Sequence, residues 1–201
     1  MKIWKIELDQ LGEPARSPLS PSERERAERI RDPTAARRWA ASRAALRELL
    51  GRRLGVAPTA VDLAVGAHGK PGLACPTGLE FNLSHSGGLA LIALAEVPVG
   101  VDVEQVRARR TDLAAIAARA LDPDTAAAIA AAEPERRPAL FFPAWVRHEA
   151  RLKCGGGGLG GPPAAGPVAV ADLDLGPGYA GAVALAGEAA PAVELYRFKP
   201  R

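Results

Sequence analysis

The sequence predicts an α+β fold, on three observations. An opening segment alternates apolar residues with period two. A long arginine-rich stretch carries the start and stop signals of helices. The middle of the chain reads as strand, turn, strand, turn, strand.

In KIWKIEL, Trp4, Ile6 and Leu8 keep the period of a strand. Ser20 followed by Pro21 makes a helix start, with Glu23 in the first turn. From about Thr34 to Leu54 a helix is expected, with Trp39, Leu46, Leu50 and Leu54 near one face. Arg37, Arg38, Arg43, Arg47, Arg52 and Arg53 take much of the rest, and Gly51 and Gly55 mark its weakening end. AVDLAV reads as a short strand followed by a Gly/Pro loop that carries Lys70. GLEFNLSHSGGLALIALAEVPVGVDVEQV reads as three strands with turns at Ser86–Gly88 and Val97–Pro98. Residues 110–132 are Ala-rich and helical, with Asp122–Pro123 opening a second piece. ALFFPAWVRHEARLKC is a further helix, Cys154 to Pro167 a glycine-rich loop, and VAVADLDL, GAVALAG and VELYRF are closing strands. GLALIALAEVPVGVDVE also echoes YAGAVALAGEAAPAVEL in a strand–turn–Pro–strand rhythm. Alanine bias alone can produce such an echo. A true repeat implies two similar α+β halves joined near residues 100–110.

The 201 residues, 48% of them hydrophobic, can bury a core as one larger domain or two small ones. A net charge of +3 favours anionic ligands or acidic partner surfaces without demanding nucleic acid. No aromatic-rich recognition strand or DNA-binding motif accompanies the arginine-rich helix. Cys75 and Cys154 offer neither a disulfide framework nor zinc spacing. MKIWKIELDQ is no signal peptide, and no apolar run approaches the roughly 20 residues needed to cross a bilayer. A cytoplasmic protein without membrane or nucleic-acid partners is expected.

In VGVDVEQV, a strand sends Asp102 and Glu104 to one side and the valines to the other. Two carboxylates on one face repel unless a cation lies between them. Alone, such a pair is more often the solvated face of an edge strand. A second motif adds weight: Trp145, Glu149 and Lys153 in WVRHEARLK are spaced i, i+4, i+8 on one helix face. The bland reading is a surface Glu–Lys pair worth about 0.2–0.5 kcal/mol. The tryptophan beside it points instead to a partly buried polar cleft. Three carboxylates, Asp102, Glu104 and Glu149, without a His or Cys cluster suit Mg²⁺ or Mn²⁺ more than zinc. In FNLSHSGG, Ser84 and His85 are adjacent in an extended segment and point to opposite sides, so they make a poor nucleophile–base pair. The sequence also lacks a GxSxG elbow. The Ser, His and Gly of this turn offer donors to an anion, and Lys70 in HGKPG sits in a rigid turn suited to a phosphate or a planar base.

Together these motifs resemble the Sfp-type 4′-phosphopantetheinyl transferase family. The order is the same: an arginine-rich helix, GKP at 69–71, FNLSHS at 81–86, GVDVE at 100–104 and WVRHEARLK at 145–153, within a likeness spanning about residues 18 to 163. The resemblance implies a pseudo-twofold pair of α+β halves, 1–100 on the nucleotide side and 101–201 carrying the carboxylates and the catalytic helix, with coenzyme A in the cleft between them. It implies transfer of the phosphopantetheine arm of coenzyme A to a serine of an apo acyl, polyketide or peptidyl carrier protein, releasing 3′,5′-ADP. Asp102, Glu104 and Glu149 match metal-binding positions, Lys153 the lysine at the pyrophosphate, and Glu149 a group that can accept the serine proton. Ser84 and His85 match positions near the ribose 3′-phosphate, Lys70 the lysine by the adenine, and Arg38, with Arg26 and Arg43, basic positions that contact the nucleotide. A monomer is expected, since two halves make one cleft, and a role in secondary metabolism is favoured. Two departures stand out: His148 where the family has Lys, and Thr125 where a Glu aligns, with Asp122 or Asp124 as substitutes. They sustain an alternative, a non-catalytic relative that binds coenzyme A or a carrier protein.

Overall fold

The computed structural model describes residues 1–11, 18–66, 70–75, 77–107, 111–156, 166–189 and 192–200. The first half begins with strand β1 (Lys2–Glu7), followed by helices α1 (Pro21–Glu28) and α2 (Pro33–Leu54). Ser20 closes the expected start of α1 as a capping box. Its hydroxyl accepts from the Glu23 N–H at 3.2 Å, and the Glu23 carboxylate accepts from the Ser20 N–H at 2.9 Å. Asp32 caps α2, and Gly55 ends it in the left-handed region at φ 72°.

Strands β2 (Leu63–Val65) and β3 (Pro71–Leu73) form a small antiparallel pair. The second of these departs from the loop expected there. Then come β4 (Glu80–Ser86), β5 (Leu89–Ala95) and β6 (Val99–Gln105), the three strands expected from the turns between them. Helices α3 (Leu113–Ala120), α4 (Pro123–Ala131) and α5 (Arg137–Cys154) precede β7 (Val168–Asp172), β8 (Tyr179–Ala186) and β9 (Glu194–Arg197). Residues 157–165 of the glycine-rich stretch lie outside the described residues.

The topology repeats. β1, α2, β4 and β5 form one unit with strand order β4-β5-β1; β6, α5, β7 and β8 form another with order β7-β8-β6, all neighbours antiparallel. The strand after each unit crosses over. β6 leaves β5 to enter the second sheet, and β9 leaves β8 to pair in parallel with β1. The halves are thus interlocked: the last strand of the C-terminal half belongs to the sheet of the first.

Alternation along the strands builds four layers. Ile6, Phe81 and Ile92 on one face of the first sheet pack on Leu46 and Leu50 of α2. Ile3, Leu91 and Ala93 on its other face meet Val99, Val101, Val103 and Val183 of the second sheet. Ala182 and Ala184, on the outer face of that second sheet, pack on Phe142, Val146 and Ala150 of α5. The valines that flank the two carboxylates therefore lie between the sheets.

The arginines of α2 do not all face solvent, as the helical face suggested. Arg47 is buried, and its guanidinium donates to Glu23 Oε2 at 2.5 Å and to the carbonyls of Val61 at 2.8 Å and Pro58 at 3.2 Å. Arg43 donates to Glu23 Oε1 at 2.8 Å. The long arginine stem covers apolar surface while buried acceptors satisfy its head.

Gly100 lets α5 approach β6. A Cβ there would stand 2.9 Å from the Lys153 carbonyl carbon, and closer still to the Ala150 oxygen and the Cys154 nitrogen, all of them backbone. Gly100→Val is expected to lose about 1–3 kcal/mol or more of stability, read as a lowered urea midpoint. An unchanged midpoint would contradict this packing.

Candidate active site

The site lies where β4, β6 and α5 meet. Gly100, Asp102 and Glu104 share the face of β6 turned to α5, and Glu149 and Lys153 come from the matching face of the helix. Asp102 is 4% exposed and Glu149 7%, so neither belongs to a solvated edge. Lys153 Nζ donates to Asp102 Oδ1 at 2.5 Å and to Ser84 Oγ at 3.1 Å. The bland reading of a surface pair with Glu149 does not hold; the ammonium reaches across to the strand.

Two buried carboxylate oxygens, Asp102 Oδ2 and Glu149 Oε1, have no hydrogen-bond partner. Burying such an atom without a partner costs free energy, so these oxygens are poised for a ligand. Burial pushes the Glu149 carboxyl above its ordinary pKa; Lys153 opposes that rise, and Asp102 and Glu104 add to it. An all-oxygen donor set of this kind suits a hard divalent cation. Among the described residues these carboxylates do not stand as a preformed cluster of three ligands; a hard ion such as Mg²⁺ keeps several waters and needs fewer protein ligands. The Lys153 ammonium stands beside Asp102.

β4 supplies a row of side chains to this junction. Ser84 is buried, and its hydroxyl donates to Asp102 Oδ1 at 2.7 Å, so it serves the carboxylate and faces away from solvent. His85 points the other way and keeps an exposed edge. Burial of part of its ring, and Lys153 nearby, hold its pKa below the ordinary 6.5. The alternation agrees with the argument against a Ser84–His85 pair. Ser86 donates to Glu104 Oε2 at 2.8 Å. The offset between FNLSHS and GVDVE gave no sign of these contacts, because they join segments of two different sheets.

Lys70 donates to the carbonyls of Lys153 at 2.8 Å and Val99 at 3.3 Å, which ties the end of α5 to the start of β6. Burial lowers its pKa. Beside it opens a cavity of about 570 Å³, lined in part by Pro71, Leu73, Cys75, Glu80 and Phe81. A larger cavity of about 770 Å³, lined by Met1, Trp4, Leu49 and Val97 among others, contains none of these carboxylates.

The basic N-terminal residues are engaged within the protein. Arg38 makes a two-point contact with Asp9, at 2.8 and 2.6 Å, and its guanidinium holds the Asp9 carboxyl below its ordinary pKa. Arg26 lies over the Trp39 ring at 5.6 Å, and Arg43 is spent on Glu23. His148 rests near the Trp145 ring at 6.0 Å. Asp122 caps α4 by accepting from the Thr125 N–H at 2.9 Å, so this carboxylate has a structural task. Cys75 is exposed; Cys154 is buried and donates to the Pro98 carbonyl.

The two halves of the chain match two family descriptions. Residues 98–196 match the 4′-phosphopantetheinyl transferase superfamily, and residues 3–97 match the N-terminal part of a 4′-phosphopantetheinyl transferase. The chain is 37% identical over 164 residues to the 4′-phosphopantetheinyl transferase HetI of Nostoc sp., a match covering 78% of this chain and 69% of the relative. It is 34% identical over 158 residues to the 4′-phosphopantetheinyl transferase AcpT of Escherichia coli O157:H7, covering 77% and 74%. A 4′-phosphopantetheinyl transferase of Bacillus subtilis is 27% identical over 164 residues, covering 79% and 72%. The chain belongs to the 4′-phosphopantetheinyl transferase superfamily, a family of transferase enzymes.

Proposed function

We propose that this protein transfers the 4′-phosphopantetheine arm of coenzyme A to a serine of an apo carrier protein and releases 3′,5′-ADP. The observation that carries the reading is the junction of Asp102, Glu104, Glu149 and Lys153, with two buried carboxylate oxygens unsatisfied.

Asp102, Glu104 and Glu149 are the residues that would hold Mg²⁺ or Mn²⁺. Such an ion supplies charge neutralisation at the pyrophosphate when bound. Lys153, held by Asp102 and Ser84, presents its ammonium to the departing α-phosphate. Glu149, which keeps one buried oxygen without a partner, is also the carboxylate placed to accept the proton of the attacking serine. The cavity beside Lys70 receives the adenine, and His85, on the exposed face of β4, is the group offered to the ribose 3′-phosphate, while the buried Ser84 is engaged with Asp102. Arg38 reaches the nucleotide by exchanging Asp9 for a phosphate.

The test follows nucleotide release. With coenzyme A, an apo acyl or peptidyl carrier and Mg²⁺, 3′,5′-ADP is expected in stoichiometry with the carrier, and a chelator is expected to abolish it. Absence of 3′,5′-ADP with both carrier classes, while coenzyme A binds, contradicts the reading.

A further inference from the structure

β4 and β6 belong to different sheets, yet a repeated side-chain unit joins them. The N–H of Val101 donates to Asn82 Oδ1 at 2.9 Å, that of Val103 to Ser84 Oγ at 3.4 Å, and that of Gln105 to Ser86 Oγ at 3.1 Å. Each step advances two residues on both strands, so the strands run side by side in the same direction, linked by side chains. Two of the three steps end on a carboxylate: Ser84 donates to Asp102 and Ser86 to Glu104. At the third, Gly100 occupies the corresponding place, where α5 passes too close for a side chain.

The direction of these bonds follows from what each group can do. A backbone N–H only donates, and an ionised carboxylate only accepts. Each serine hydroxyl therefore accepts from the strand and turns its single hydrogen onto the carboxylate beside it. That arrangement fixes where the two acidic side chains point.

We propose that Ser86 is a positioning residue for Glu104, holding this carboxylate in the orientation that receives a divalent cation. The spacing of serines in SHS then encodes the spacing of acids in DVE, across two halves of the protein. The proposal rests on Asp102, Glu104 and Glu149 being the metal-holding carboxylates. The hydroxyl also satisfies the Gln105 N–H, so the test separates positioning from support of the strand.

The experiment is Mn²⁺ binding to the intact protein, followed by the electron paramagnetic resonance signal of free Mn²⁺, with thermal midpoints recorded in parallel. Ser86→Ala is expected to weaken Mn²⁺ about tenfold, as loss of a hydrogen bond to a metal ligand generally does. Ser86→Thr, which keeps the hydroxyl, is expected to retain wild-type affinity. In a Glu104→Ala background, Ser86→Ala is expected to change nothing further, since two residues acting through one contact are not additive. Unaltered Mn²⁺ affinity in Ser86→Ala overturns the positioning role, and so does an equal weakening with Glu104 already replaced. Wild-type protein that binds no Mn²⁺, alone or with coenzyme A, overturns the metal reading itself and the proposal with it.

Discussion

Asp102→Ala is expected to lower the transfer rate by about 10²–10³-fold, the range seen when one preorganised electrostatic contact to a reacting group is removed. Asp102 does three things at once. One oxygen holds Lys153 at 2.5 Å, the same oxygen receives the Ser84 hydroxyl at 2.7 Å, and the other is buried and unsatisfied. Alanine releases the ammonium from its fixed position and removes the free oxygen. Lys153 is partly exposed, so its ammonium can find water once released; the fold is expected to survive. The check is a steady-state rate beside a thermal melt. A large loss of kcat with a near-native melt supports the assignment. An unchanged rate would show that Asp102 only braces the junction.

The second large effect is on stability. Arg47→Ala is expected to cost about 3–5 kcal/mol, because it breaks a buried ion pair and removes the guanidinium donor from the Val61 carbonyl, leaving the Pro58 carbonyl only the Val61 N–H. Glu23 would remain in the core with Arg43 as its only cation, beside the Ser20 N–H. The same cluster sets an acid limit. Burial pushes the Glu23 pKa up, but the Ser20 N–H and the two arginines outweigh it and leave the carboxyl below its ordinary value of 4.5. Because the folded value is the lower one, Glu23 contributes its full stabilisation above pH 4.5 and loses it as the pH falls through the folded pKa. Chemical denaturation between pH 7 and the acid range is expected to show this loss in the wild type and a shallower one in Glu23→Gln. Parallel acid profiles for the two would contradict the role given to Glu23.

Local signals carried much of this structure. The capping residues Ser20 and Asp122 and the turns at Ser86–Gly88 and Val97–Pro98 act within a few residues, so their consequences can be read from order alone. The i, i+4, i+8 spacing brought Glu149 and Lys153 onto the face opposite Asp102 for the same reason. What escaped were pairings between distant segments. The burial of Arg47 depends on Glu23, Pro58 and Val61, none of which its helical face discloses. β9 returns to β1 from the far end of the chain, and Ser84 turns inward because β6 happens to lie beside it. The carboxylates, Lys153 and Ser84 are singled out by the sequence; the contact of Lys153 with Asp102, and the hydroxyls of Ser84 and Ser86 that donate to Asp102 and Glu104, are not. Lys70 is a further case: its loop was legible, but its bonds to the end of α5 were not.

The central claim is group transfer. It is tested most directly by the intact mass of an apo carrier protein incubated with coenzyme A, Mg²⁺ and either the wild-type protein or Asp102→Ala. The account expects the carrier to gain the mass of one phosphopantetheinyl group with the wild type, and to gain it far more slowly with the variant. No gain on any acyl or peptidyl carrier, with coenzyme A still bound by the protein, would contradict it and leave a binding protein without catalysis.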